Sequence, residues 1–125
     1  MIHLDTNYLV DMVTVGSAGG AKIEAWLHAG KSVTTSAVAW SEFCNGPLTK
    51  AQKDAAFTVL GRKVVDFTWR EAEEAARLFN LSGRRRGSHA DCMIAATAIL
   101  AEVPLATFNT DDFQRLVPFG LVLEG

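Results

Sequence analysis

The chain opens on a short apolar run, Ile2-His3-Leu4, too brief for a helix and closed by polar Asp5-Thr6-Asn7, which predicts a buried strand feeding a turn. Asp5 then falls at the carboxyl end of that strand. Tyr8 to Val15 suits a short helix, Gly16-Ser17-Ala18-Gly19-Gly20 interrupts it, and Ile23, Trp26 and Leu27 recur at helical spacing in a second helix that Gly30 ends. Ser32 to Thr35 predicts a second strand, and Ser36 caps a helix running to Cys44 with Gly46-Pro47 as its stop. Thr49 caps a further helix through Leu60, and Val64 to Phe67 reads as a third strand. Thr68-Trp69-Arg70-Glu71 fits a capping box at the head of an alanine-rich helix that should turn Ala72, Ala75, Ala76 and Phe79 inward. Beyond Gly83 a basic loop, Arg84-Arg85-Arg86-Gly87, leads to Ser88 as a second capping candidate and to an apolar helix over Cys92 to Ala101. Leu105 to Phe108 predicts a fourth strand, Asn109 to Phe113 opens a last short helix, and Leu121 to Leu123 suits a small fifth strand.

Short apolar strands separated by helices imply crossover connections. The expected fold is therefore α/β, a central parallel sheet of four to five short strands flanked by helices, in a single domain over residues 1–125. Such sheets bind ligands beyond the carboxyl ends of their strands, where Asp5 and the Asn109 to Asp112 turn fall. The longest apolar stretch, Cys92 to Ala101, is bounded by Asp91 and Glu102 and is far shorter than the roughly 20 apolar residues of a membrane span. No membrane partner is expected.

Composition adds little to this picture until the acids are placed. At 49% hydrophobic and 21% charged, the 125 residues are those of a folded chain. The opening residues lack a basic segment followed by a long apolar run, and two cysteines, Cys44 and Cys92, make no disulfide scaffold; together they lead us to expect a cytoplasmic protein. A net charge of -2 argues against nucleic-acid binding unless some acids are sequestered around a cation, which leaves a slightly positive remainder.

Asp5, Glu42, Asp91 and Asp112 are the candidates for that grouping. Each also has an ordinary structural account. Asp5 suits an Asx turn or N-cap, Asp91 stands three residues after Ser88 as a capping-box acid, and Asp111 and Asp112 sit where helix starts favour acids. Glu42 lies between apolar Trp40 and Phe43, a less usual place for a solvated charge. Three or four carboxylates converging at one sheet edge would repel one another unless a cation or shared proton relieved them. All-oxygen ligation suits Mg²⁺ or Mn²⁺, and His3, His28 and His89 have no zinc-type spacing.

The ordered segments Leu4-Asp5-Thr6-Asn7, Ser41-Glu42-Phe43, Ala90 to Ala98 and Thr107-Phe108-Asn109-Thr110-Asp111-Asp112-Phe113 resemble the motifs of PIN-domain ribonucleases, especially VapC toxins of prokaryotic toxin-antitoxin pairs. The resemblance spans essentially the whole chain. It implies a PIN-like fold and makes Asp5, Glu42 and Asp91 metal-site acids, with the fourth position drawn from Asn109, Asp111 or Asp112. Asp112 matches the acid that precedes Phe in many members, whereas others carry an acid where Asn109 stands. Thr6, Asn7 and Thr107 fall where supporting residues are expected. The implied chemistry is hydrolysis of an RNA phosphodiester with Mg²⁺ or Mn²⁺ as cofactor, and the implied partners are an RNA substrate, a VapB-like antitoxin and a second copy in a homodimer.

Arg84, Arg85 and Arg86 form the one run of like charge and are candidates for contact with the RNA backbone. Two other readings stay open. A PIN-fold RNA-processing nuclease or RNA-binding module outside a toxin pair shares the motifs. A phosphoacceptor receiver domain shares length and alternation, but it wants an acidic pair after the first strand, and here Asp66 is followed by Phe67 with no suitable late Lys.

Overall fold

The structure, a computed structural model, describes residues 1–125. Three parallel strands, β1 (Ile2–Leu4), β2 (Val33–Thr35) and β3 (Leu105–Ala106), form a sheet of order β2-β1-β3. Ile2, His3 and Leu4 pair with Val33, Thr34 and Thr35, while His3 and Leu4 pair with Leu105 and Ala106 on the other side. Every strand residue is buried, as expected where helices cover both faces. His3 is fully buried with neither ring nitrogen partnered, and burial lowers its pKa to about 4, so the imidazole is neutral.

Seven helices surround the sheet: α1 (Thr6–Met12), α2 (Ala18–His28), α3 (Ala37–Cys44), α4 (Lys50–Val59), α5 (Trp69–Leu81), α6 (His89–Ala101) and α7 (Thr110–Gln114). Several begin where the chain places a cap. Ser36 accepts from the Ala39 N–H at 2.9 Å, and Thr49 with Gln52, and Thr68 with Glu71, close full capping boxes. The central helix is α6, whose residues from Cys92 to Ala98 are buried apart from half-buried Met93; it packs along α5 and ends at Glu102 in a left-handed conformation, φ 56°. No helix is long and apolar enough to cross a membrane.

Two of the expected strands are not strands. Val64 to Phe67 touches the sheet only through the bridge of Val65 to Ser36, because Ser36 already caps α3 and β2 has no further extended residue to pair. Leu121 to Leu123 is likewise reduced to one bridge, Leu105 to Leu123, since β3 is only two residues long and its expected continuation through Phe108 bends away. The sheet therefore has three strands rather than four to five. On α5 the inward face is Ala75 and Leu78; Ala72 and Ala76 are exposed and Phe79 is half-buried, because the amphipathic stripe is rotated from the alanines towards Leu78. Cys92 is buried in the core, but Cys44 is exposed.

Candidate active site

The carboxyl edge of the sheet gathers side chains from β1, α1, α3, α6, α7 and the segment after β3. Asp5 follows β1 directly and is the N-cap of α1, its Oδ1 accepting from the Thr6 N–H at 2.8 Å. Its Oδ2 accepts from Thr107 Oγ1 at 2.7 Å and from Asn7 Nδ2 at 3.4 Å. Capping and a place in the cluster coexist in one residue. Only 6% of Asp5 is exposed, and burial raises its pKa; the Thr107 and Thr6 bonds oppose that rise, and the charge of Glu42 adds to it.

Glu42 is exposed on α3, where its Oε1 accepts from Thr6 Oγ1 at 2.7 Å. Thr6 thus ties Glu42 to the residue that caps α1. Thr107 has a similar double use: its Oγ1 donates to Asp5 and accepts the Asn109 N–H at 3.0 Å. Asn109 Nδ2 in turn donates to Asp112 Oδ2 at 2.9 Å, and Arg85 Nη1 donates to Asp112 Oδ1 at 3.1 Å. The Asn109 bond, and after it the Arg85 bond, hold the Asp112 carboxyl below its usual range. Asp111 points to solvent and joins none of these bonds.

Asp91 lies in the first turn of α6. The capping box expected with Ser88 does not form: the Ser88 backbone is not extended as at the capped helix starts (φ −91°, ψ 5°), and its hydroxyl donates to the Arg85 carbonyl at 2.8 Å. None of the hydrogen bonds that fix the other three acids reaches Asp91. Burial, followed by the charges of Asp5, Asp112 and Glu42, raises its pKa to about 6, with Arg85 acting in the opposite direction. Those electrostatic couplings show that four acids from four places in the sequence share one region. They do not yet form a closed ligand cage: no three acid, His or Cys side chains stand within ligating reach of a common point. Thr6 holds Glu42 and Arg85 holds Asp112 in their separate positions.

Beside the acids is a cavity of about 70 Å³ lined by Arg85, Arg86, Gly87, Ser88, Asp91 and Asp112, with no apolar residue. Arg84 does not join it. A left-handed backbone, φ 54°, sends its guanidinium to Asn80 and over the Phe79 ring. Larger clefts, such as the one lined by Met12, Ile23, Leu27 and Val59, lie away from the acids.

The PIN domain family matches residues 2–117. The chain belongs to that family. Its fold is shared with the VapBC2 complex of Rickettsia felis bound to a promoter DNA fragment, at 24% identity and a TM-score of 0.74 over 99% of this chain and 98% of that one. A toxin-antitoxin complex from Klebsiella pneumoniae is similar at 25% identity and a TM-score of 0.72, over 90% of each chain. The sarcin-ricin-loop-cleaving toxin VapC20 of Mycobacterium tuberculosis matches over 98% of this chain and 97% of its own, at 18% identity and a TM-score of 0.65. No curated protein matches in sequence.

In this PIN domain, the donor set suits a hard divalent cation. Carboxylate, hydroxyl and amide oxygens are what Mg²⁺ and Mn²⁺ prefer; burial and the charge of Glu42 disfavour the ionised form of Asp5, and burial and the charges of Asp5, Asp112 and Glu42 disfavour that of Asp91. What sequence reading missed is the Arg85–Asp112 pair and the influence of Arg115 on Asp112. A signal for the second was available, since Arg115 stands three residues beyond Asp112 at helical spacing.

Proposed function

We propose that this protein is an Mg²⁺- or Mn²⁺-dependent endoribonuclease that hydrolyses RNA phosphodiester bonds, and that it is the toxin of a VapBC-type pair. The observation that carries the reading is the gathering of Asp5, Glu42, Asp91 and Asp112 at the carboxyl edge of the sheet, where burial first and then the charges of Asp5, Asp112 and Glu42 push the Asp91 carboxyl up to about 6. The like-charge part of that rise is what a cation among the acids would relieve. When bound, such an ion supplies positive charge for a phosphate group and acidifies a water molecule for in-line attack.

Asp5 and Asp91 are the preferred direct ligands in this scheme. Thr107 and the Thr6 N–H orient Asp5, while Thr6 Oγ1 positions Glu42 to complete the coordination, to hold an attacking water or to accept its proton. Asp112, aimed by Asn109, would supply the fourth position if its pairing with Arg85 were released. Asn7 supports Asp5 and Thr107, and Asp111 contributes charge only. Arg85 and Arg86, on the rim of the polar cavity, hold backbone phosphates near the acids; Arg84 is turned away from that task. Structural neighbours that are toxin-antitoxin complexes support a VapB-like antitoxin as partner. A homodimer and a cytoplasmic location complete the proposal.

The test is cleavage of RNA with Mg²⁺ or Mn²⁺, repeated with chelator and with Asp91→Asn. Removing a direct ligand should cost at least what removing a supporting residue does, so activity should fall by about 100-fold or more while the far-ultraviolet circular dichroism is retained. Calorimetry should show weaker metal binding in the same variant. Full cleavage in chelator, or by folded Asp91→Asn protein, would overturn the proposal; RNA binding without cleavage would leave a binding module instead.

A further inference from the structure

Phe108 lies between two residues that serve the acids: Thr107 donates to Asp5 and Asn109 donates to Asp112. Its own N–H donates to Asn7 Oδ1 at 3.4 Å, and Asn7 reaches Asp5. The Phe108 ring is stacked on Tyr8 with centroids 4.3 Å apart and planes only 6° from parallel. Tyr8 is itself buried and packed against Trp26 at 5.6 Å. The ring is therefore held in place by one face, yet Phe108 remains 46% exposed.

Several other partly exposed rings have a cation or a ring against them. Trp69, the other strongly exposed ring, carries the Arg70 guanidinium over it, Phe57 carries Arg62, and Phe79 meets Arg84 and His89. Trp40 packs against Phe43 and Phe57. Phe108 combines high exposure with a plane fixed by its stack on Tyr8, its one aromatic partner. Covering Tyr8 uses only one face of that ring.

We infer that Phe108 is a stacking platform for a nucleobase of the RNA strand being cut, a specificity-determining contact that rests on the proposed ribonuclease reading. A parallel, immobilised ring with a free face fits the flat face of an unpaired base. A base inside a duplex is already stacked on both sides and cannot use it. The platform therefore selects single-stranded or looped RNA, and any base is accepted, with purines held more firmly by their larger face. Arg85 and Arg86 hold phosphates without reading sequence, so Phe108 supplies a contact that the basic loop cannot.

The experiment compares two octamers of equal length and charge, oligoadenylate and an abasic ribose-phosphate strand, binding to wild type, Phe108→Leu and Phe108→Trp at one salt concentration. One stacked base is worth roughly 5- to 150-fold in affinity. Phe108→Leu should lose about 10-fold on oligoadenylate and nothing on the abasic strand, while Phe108→Trp should keep or exceed wild-type affinity. Equal losses on both strands, or a Trp variant as weak as Leu, would mean that Phe108 only packs on Tyr8 and would overturn the inference. No loss on either strand, with cleavage intact, would overturn the platform and leave the ribonuclease standing. Failure of the wild type to bind or cleave either strand, or any longer RNA, would remove both.

Discussion

Asp5 and Asp112 both push the Asp91 carboxyl up, and the protein holds them by opposite means. Asp5 stands at the end of a central strand, almost wholly buried, and its oxygens meet neutral donors: a backbone N–H, a hydroxyl and an amide. Those groups orient the carboxylate but do not cancel its charge. Asp112 lies on a five-residue helix at the surface and meets a full positive charge in Arg85, together with the amide of Asn109. Its charge is already balanced, through a partly exposed ion pair that salt screens and a phosphate can replace. The difference teaches that one half of the cluster is held in place with its charge uncompensated, whereas the charge of the other half is already paired.

The largest effect should come from the sheet side. Thr107→Val removes the hydroxyl that donates to Asp5 and accepts from Asn109, and it should lower metal affinity and cleavage by about 10- to 100-fold, as removal of a group that orients a ligand does. Asn109→Ala, on the exposed side, should cost clearly less in the same calorimetric and cleavage assays. Equal losses would erase the contrast.

The basic loop sharpens it from the other side. Replacing Arg85 and Arg86 together with Gln should reduce the slope of log affinity against log salt for single-stranded RNA by about 1.4, roughly 0.7 for each phosphate that is no longer neutralised. Arg84→Gln should leave the slope unchanged, because that guanidinium is engaged by Asn80 and Phe79. An equal slope change for Arg84→Gln would show that the free structure does not report which arginines meet the phosphate.

A smaller effect is expected in the pH dependence of thermal stability without metal. Asp91 has a raised pKa, so its contribution is present below the unfolded value of 3.8 and is lost as pH rises through about 6. His3 has a lowered pKa, so its contribution is present above the unfolded value of 6.5 and is lost as pH falls through about 4. The two slopes oppose each other between about pH 4 and 6. Asp91→Asn should uncover the His3 slope, and melting temperature should then rise more steeply with pH than in wild type; parallel profiles would place Asp91 outside the cluster.

The smallest change is Glu42→Gln. It removes one like charge and keeps an oxygen for Thr6 Oγ1, so the metal-free protein should become slightly more stable, within about 0.5 kcal/mol as is usual at exposed positions. A clear loss in denaturant unfolding would make the Glu42 charge a structural partner of Thr6.

Much of the fold was legible because its signals are local. Ile2–Leu4 and Val33–Thr35 announce themselves as short apolar or β-branched runs, and the Thr68/Glu71 and Ser36 caps act within three residues. Val64 to Phe67 carries an equally good strand signal. It fails because pairing depends on Ser36, whose capping of α3 ends the neighbouring strand. Ser88 fails as a cap because the turn after Arg85 leaves its backbone out of the extended conformation that aims a hydroxyl at the helix N–H groups.

What the sequence determined by itself was the set of chemical groups and the local elements that carry them: acids at a strand end and at helix starts, a basic loop before an apolar helix, and the family motifs in order. Only the tertiary structure decided which groups meet. Thr6 bonds Glu42 across 36 positions, Arg85 bonds Asp112 across 27, and Thr107 bonds Asp5 across 102. Caps and periodicities are set by backbone geometry within a turn or two, so composition and spacing reveal them. Partners brought together by strand order and helix packing depend on the whole chain, and the same decision leaves one face of Phe108 against Tyr8 and the other in water.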